Sequence, residues 1–346
     1  HAQLLLTMKS DDGSDCVIEP RNILKRILLT LHQMHYFPMM AGEIEFYLSE
    51  NIQDAPFSPQ SDPLSTQCFD VDTPHNFQTV IQQIELEAKR QDIDLTGVVA
   101  ESASGQFELN IQHSDNILKL CDDIMCIKRM IRQIAMQHGL KASFMAKPNM
   151  AKAGSGMHFH MSIRNQWQDN LFKIDQLKNP NPIMQNVIAG LLDLMPASMA
   201  ILAPNINAFR RFQLGNHVPL EANWGFNNRN VAIRIPCSDQ DNQRLEYRVA
   251  GADVNPYLCV ATILTGVLHG LHAALDLPQS IQQVKVINSR HFLPSHQLEA
   301  LQLFEKHAVF KQYFGSDFIQ LWCACKKFEY QSVINKITNA ELEWGI

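Results

Sequence analysis

Positive charge is in short supply: 29 Lys and Arg stand against 35 Asp and Glu in 346 residues, a formal net charge of −6. Such a balance gives no general attraction to nucleic acid or anionic lipid, so any polyanion site must be local. Glycine and proline are also sparse, at 15 and 16 residues; with 46% hydrophobic and 18% charged residues, the chain falls outside the disordered and fibrous classes. The cysteines, at positions 16, 68, 121, 126, 237, 259, 323 and 325, form no CxxC pair and no Cys/His zinc spacing. Reduced thiols, many of them in the core of a cytoplasmic protein, are expected. Arg21, Lys25 and Arg26 interrupt every early apolar run, so no signal peptide is read. The uncharged stretch from Tyr257 to Leu275 is just long enough for a bilayer, but it holds His269, His272, Gly266 and Gly270 and reads as a buried core helix. There is no repeat of fixed period and no low-complexity tract.

What is present is periodicity. Pro20 followed by Ile23, Leu24, Ile27, Leu28, Leu31 and Met34 predicts a helix over about 20–35, with proline where a helix tolerates it. Phe77, Val80, Ile81 and Ile84 predict a second, and Ile117, Leu120, Ile124, Ile127, Ile131 and Ile134 a third. From Leu298 onward, Phe304, Val309, Phe314, Phe318 and Trp322 keep helical spacing. Residues 51–63 and 179–182, rich in turn formers, are expected to be surface loops.

Several short segments instead alternate apolar and polar, and their polar members are chemically unusual. Side chains two apart on a strand share a face, so Glu43, Glu45 and Tyr47 point one way while Ile44, Phe46 and Leu48 point the other. The pattern recurs at Gln106, Glu108 and Asn110, with Glu101 just upstream, and at His158, His160 and Ser162. It recurs again around Arg234 and at Arg244, Glu246 and Arg248. A solvated antiparallel face also alternates, but it mixes Lys, Thr, Ser and Gln. These faces carry mostly Glu, His and Arg.

If the faces meet in one cavity, like charges are tolerable only with cations between them. Glu43, Glu45, Glu101, Glu108 and Glu246, with His158 as the single nitrogen donor, form an oxygen-rich set that suits two or more Mg²⁺ or Mn²⁺ ions and not zinc. Arg211, Arg229, Arg234, Arg244 and Arg248 bring forks that match phosphate and carboxylate oxygens. Divalent metal with clustered arginine points to phosphoryl transfer from a nucleotide. Neither a G-x-x-x-x-G-K-[ST] loop nor a kinase glycine-rich loop is present. Gly154-Ser155-Gly156, beside a ligand strand, is either a plain turn or a place of backbone contact with substrate.

In this order the segments resemble the catalytic domain of the glutamine synthetase family, from about Pro20 to the C-terminus. The motifs that carry the resemblance are Gly42-Glu43-Ile44-Glu45-Phe46, Glu101 to Glu108 around Gly105-Gln106, Lys147-Pro148, Gly154 to Ser162, Asn228-Arg229, Arg234-Ile235-Pro236, Arg244 to Arg248, and Asn255-Pro256-Tyr257. The resemblance implies an α+β fold in which an antiparallel sheet flanked by helices forms a funnel, with nucleotide entering from one side and glutamate from the other. It implies that residues 20–346 are the catalytic domain and that 1–19 resemble only the last strands of an N-terminal β-grasp domain, otherwise missing. Asp12-Gly13-Ser14 reads as a plain turn. By the same resemblance, Glu45, Glu101 and Glu108 match the ligands of one metal, and Glu43, His158 and Glu246 those of a second. His160, Ser162 and Arg244 match nucleotide contacts. Arg229 and Arg234 match the arginines on the transferring phosphoryl group, Arg234 also counting among the nucleotide contacts. Arg211 and Arg248 match the pair on the substrate carboxylate, and Gly154 the backbone contact to glutamate. Stacked rings of six subunits, with sites between neighbours, are the family's assembly.

The implied reaction is phosphorylation of the glutamate side-chain carboxylate by ATP, followed by displacement of phosphate by an amine. Three departures bear on the amine. His217 stands where glutamine synthetase proper has a flap glutamate that binds and deprotonates ammonium, Ala153 stands where it tends to have Asn, and Asn223 to Arg229 is similar to the form in gamma-glutamylpolyamine and glutamate-putrescine ligases. His217 is either a base or space-filling. The region of Leu275 to Pro278 lacks a counterpart of the tyrosine adenylylated in some bacterial members. An organic amine such as putrescine is therefore expected over ammonia. Glutamine synthetase itself, or a member without turnover, are the alternatives.

Overall fold

The computed structural model describes residues 4–50, 77–213, 218–273, 275–281 and 292–344. The 51–63 loop expectation and His217 lie outside these residues. Among the described residues the chain runs α1 (Pro20–Gln33), β1 (Phe37–Glu50), α2 (Gln78–Arg90), β2 (Leu95–Ala100), β3 (Gln106–Ile111), α3 (Ile117–Gln137), β4 (Leu140–Ser143) and β5 (Met157–Arg164). It continues through α4 (Pro182–Leu202), α5 (Ile206–Phe209), β6 (Trp224–Phe226), β7 (Ile233–Ile235), β8 (Leu245–Tyr247) and α6 (Pro256–His272). The helices α7 (Gln297–Lys306), α8 (Ala308–Phe314), α9 (Ser316–Ile334) and α10 (Asn339–Glu343) form the tail. Before α1, Asp12-Gly13-Ser14 is a turn flanked by a bridge between Lys9 and Asp15.

The three helices predicted from periodicity are α1, α2 and α3. Pro20 opens α1 and the Glu19 carboxylate accepts from the Asn22 amide at 2.7 Å, so the helix is capped where proline also suits it. Its buried stripe is Ile23, Leu24, Ile27, Leu28 and Leu31. Arg21 grips Asp122 of α3 through two 3.0 Å contacts, and Tyr257 of α6 donates to the same carboxylate at 2.6 Å. One carboxylate thus fixes three helices. The region from Tyr257 is α6, buried along almost its whole length as expected. Among the described residues, the helix long and apolar enough to cross a membrane by length and composition is instead α4, and it too is mostly buried inside the fold.

The strands form one eight-stranded sheet in the order β2-β3-β1-β5-β8-β7-β6, with β4 added to the end of β1. All pairs are antiparallel except β6 with β7. In that pair the expected antiparallel arrangement gives way because residues 227–232 carry the chain back to the start of β6, beside Asn223. The Asn223 backbone carbonyl accepts from Ile233 at 3.1 Å and its side chain from Ala232 at 2.9 Å, so both strands start from the same end. Long β1 is the spine, and its even-numbered residues Met40, Ile44, Phe46 and Leu48 are buried in the hydrophobic core. Its odd face remains for chemistry.

Candidate active site

Register brings the polar residues together. Across β1 and β3, Glu45 faces Glu108, Tyr47 faces Gln106 and Glu43 faces Asn110. Across β1 and β5, Glu43 faces His158 and Ala41 faces His160. His160 then faces Glu246 of β8, and Glu246 faces Arg234 of β7. Because side chains directly opposite on one sheet face lie within reach of one another, five strands build a single polar floor.

That floor lines two adjoining cavities. One, of about 240 Å³, is lined by Glu43, Glu45, Glu101, Glu108, His158 and Glu246 together with Gly154, Arg211, Arg229, Arg234 and Arg248. The other, of about 350 Å³, is lined by His160, Ser162 and Arg244, and shares Glu43 and Arg234 with the first. Every described residue singled out from the sequence therefore lines one cavity or the other. Glu43 and Arg234 line both; the substrate candidates, the other metal candidates and Arg229 line the smaller, and His160, Ser162 and Arg244 the larger.

The carboxylates fall into two electrostatic groups. Glu43 is held well below the usual carboxylate range: burial opposes ionisation, but His158 at 3.3 Å and His160 at 2.6 Å outweigh it. Glu246 is lowered as well, since Arg248 and His158 outweigh its burial, and it is paired with both Arg234 and Arg248. The other group has too little positive charge. Burial, reinforced by Glu101, raises Glu45 to about 7, and burial with Glu43, Glu45 and Glu101 around it raises Glu108 to about 9. Glu101 is raised by burial too. A donor set that will hold protons at neutral pH for want of a counter-charge is one that a divalent cation satisfies.

Ligand atoms of Glu43, His158 and Glu246 lie within 4.8 Å of one another, as do those of Glu45, Glu108 and His158. Glu101 lines the same cavity but belongs to neither close set. His158 is buried, its Nε2 has no hydrogen-bond partner, and burial with the nearby Arg248 lowers its pKa to about 4, so the ring is neutral, as a metal ligand must be. The residues present thus fit hard divalent ions.

Three arginines that were expected to meet substrate make internal contacts. Arg234 and Arg248 pair with Glu246, and Arg211 donates to the Val249 carbonyl at 2.8 Å and the Arg248 carbonyl at 3.4 Å. Arg244 donates from Nε to His160 Nδ1 at 3.2 Å; with that nitrogen accepting, the His160 proton sits on Nε2 and points at Glu43. Gly154 cannot be another residue without displacement, since a Cβ there would lie 2.7 Å from the Ala146 carbonyl and 2.8 Å from Arg211 Cγ. The glycine lets the loop close over the arginine stem.

The residues that sequence reasoning did not single out as site residues are Tyr47, Gln106 and Lys147, all buried and all bonded to the loop before Gly156. Tyr47 and Gln106 share the face of their strands with the acidic residues, and that shared parity was the available signal.

This chain belongs to the glutamine synthetase family: the family's catalytic-domain model matches residues 17–345. Among individual relatives, the chain is 43% identical to gamma-glutamylputrescine synthetase PuuA of Escherichia coli (strain K12), over 99% of the chain and 74% of the relative. It is 29% identical to the glutamate–isopropylamine ligase of a Pseudomonas species over 99% of the chain and 76% of the relative. It is 30% identical to the type-1 glutamine synthetase 2 of Dictyostelium discoideum, over 98% and 67%. Among solved structures, apo GmaS superposes with a TM-score of 0.86 at 28% identity, covering 95% of this chain and 77% of that one.

Proposed function

We propose that the protein is an ATP-dependent ligase that joins the side-chain carboxylate of glutamate to an amine, putrescine or a similar polyamine being favoured. The observation that carries this is the pair of joined cavities, one acidic and arginine-lined, the other holding the nucleotide candidates, meeting at Glu43 and Arg234. The 43% identity to a gamma-glutamylputrescine synthetase, against 30% or less to the other relatives named above, supports a polyamine over ammonia.

In this reading glutamate lies in the smaller cavity, with its α-carboxylate on Arg211 and Arg248 and its backbone contact at Gly154. ATP lies in the larger, against His160, Ser162 and Arg244. The glutamate side-chain oxygen attacks the γ-phosphorus, ADP leaves, and Arg229 and Arg234 offset the charge that spreads over the transferring group. The amine nitrogen then attacks the acyl carbon, phosphate leaves, and the amide forms with loss of a proton. Glu45, Glu101 and Glu108 would hold one Mg²⁺ or Mn²⁺ and Glu43, His158 and Glu246 a second, and the ions would neutralise the phosphate oxygens that these carboxylates otherwise repel. Cys16, Cys121, Cys237, Cys259, Cys323 and Cys325 are free thiols, which suits a reducing compartment such as the cytoplasm. A ring of subunits is the assembly this reading carries with it.

The test is phosphate release from ATP with Mg²⁺ and glutamate, run with ammonia, putrescine, cadaverine and spermidine, with Glu246→Ala as the blank. Release that requires a diamine or polyamine and vanishes in the blank is the expected result. Dependence on ammonia alone would move the chain to glutamine synthetase, and silence with every amine would sink the ligase reading.

A further inference from the structure

The loop from Lys152 to Gly156 is held in an unusual way. Its five successive carbonyls each accept a hydrogen bond from a different part of the fold. Lys152 O accepts from Lys147 Nζ at 2.6 Å, Ala153 O from the Tyr47 hydroxyl at 2.7 Å and Gly154 O from Gln106 Nε2 at 3.0 Å. Ser155 O accepts from the Ala252 amide and Gly156 O from the Glu45 amide, both at 3.0 Å. The last two are backbone contacts of the kind any packed segment makes. The first three come from fully buried side chains, and burying a polar side chain is costly unless it is bonded to a purpose.

Tyr47 and Gln106 are directly opposite each other in the β1–β3 register, one step along from the Glu45–Glu108 pair. They therefore stand on the same floor as the acidic residues and reach from it to the loop. The orientation of the Gln106 amide is fixed from both ends: its Oε1 accepts from the Ala103 amide at 3.3 Å while its Nε2 donates to Gly154 O, and neither partner could take the opposite role. Ala103 lies in the short turn between Glu101 and β3, so one side chain ties the acidic hairpin to the glycine loop. Ala153 and Gly154 themselves line the smaller cavity.

We infer that Tyr47 and Gln106 are positioning residues for the amino-acid substrate, setting the Ala153–Gly154 backbone that lines its cavity against Arg211 and Glu101. The inference rests on the reading that glutamate occupies that cavity. Neither side chain lines the nucleotide cavity, so the effect is confined to one of the two substrates.

Tyr47→Phe and Gln106→Met remove the donors and keep most of the volume. Steady-state phosphate release with the preferred amine should show KM for glutamate rising about tenfold in each variant, with KM for ATP within twofold of wild type. The double variant should fall short of the product of the two effects, because both act on one loop. Thermal unfolding of each variant in the same buffer separates positioning from folding: a lowered melting temperature with both KM values unchanged would overturn the inference, as would equal rises in the two KM values. A wild type that releases no glutamate-dependent phosphate would overturn the ligase reading and this inference with it, whereas an active wild type with indifferent variants overturns the positioning role alone.

Discussion

Burial of like charges decides what each acid in this site can do. Glu43 and Glu246 have histidine and arginine partners and stay ionised, while burial and mutual repulsion push Glu45 and Glu108 up to about 7 and 9. Glu108→Gln keeps the shape and removes one donor of the undercompensated group. Mn²⁺ is expected to raise the melting temperature of the wild type, and Glu108→Gln to reduce that rise and to cut phosphate release about 100-fold or more, checked by calorimetry and by the coupled assay. Gly154→Ala tests steric fit without touching charge: the new Cβ meets Ala146 O and Arg211 Cγ, so KM for glutamate should rise while Mn²⁺ still stabilises the protein. The clustering of these acids with His158 was legible in the sequence because strand parity placed Glu43, Glu45, Glu108, His158 and Glu246 on one face. The pairing of Glu246 with both Arg234 and Arg248 was not, since it depends on which strands become neighbours and β7 to β8 contact is set by the loop between them.

Among elements, the helix pair α4 and α6 carries the tightest approach. Gly190 and Gly270 meet so closely that a Cβ on Gly270 would lie 2.0 Å from the Asn186 carbonyl, which belongs to backbone and cannot rotate away. Gly270→Ala should cost about 1–3 kcal/mol or more in denaturant unfolding, with the m-value unchanged. Lys128 on α3 offers a different test. It is buried, donates to the Ala252 and Val254 carbonyls, and its pKa is lowered to about 8, chiefly by burial and partly by Arg132, against attraction from Asp253 and Cys259. Below pH 8 the lysine is charged whether folded or unfolded and the full burial penalty is present; above its unfolded value of 10.5 it is neutral in both states and the penalty is gone. Wild-type stability should therefore gain on that of Lys128→Met as pH rises from about 8 to 10.5, by about 3 kcal/mol at most. Denaturant midpoints of both proteins across that range would show it, and parallel profiles would refute it. The sequence showed α1, α2 and α3 as stripes because each buries one side. It did not mark α4, which is apolar nearly all round and has no stripe, or β6, whose three residues are too few to alternate.

At the scale of the molecule, one sheet serves as both core and reagent surface. Its inner face joins the hydrophobic cluster and its outer face carries acids, imidazoles and guanidinium groups. The same sheet joins partners that are distant along the chain. Glu43 and His158 touch across 115 positions, and Glu246 belongs to a strand that follows both. Contacts this remote form only after large loops have closed, which slows the search for the native arrangement. A refolding or newly made chain would wind its helices first and gain turnover last, once these distant strands have paired. Far-ultraviolet ellipticity should accordingly return ahead of enzymatic competence, leaving a window in which a compact, helical and still inert species is the one exposed to proteases.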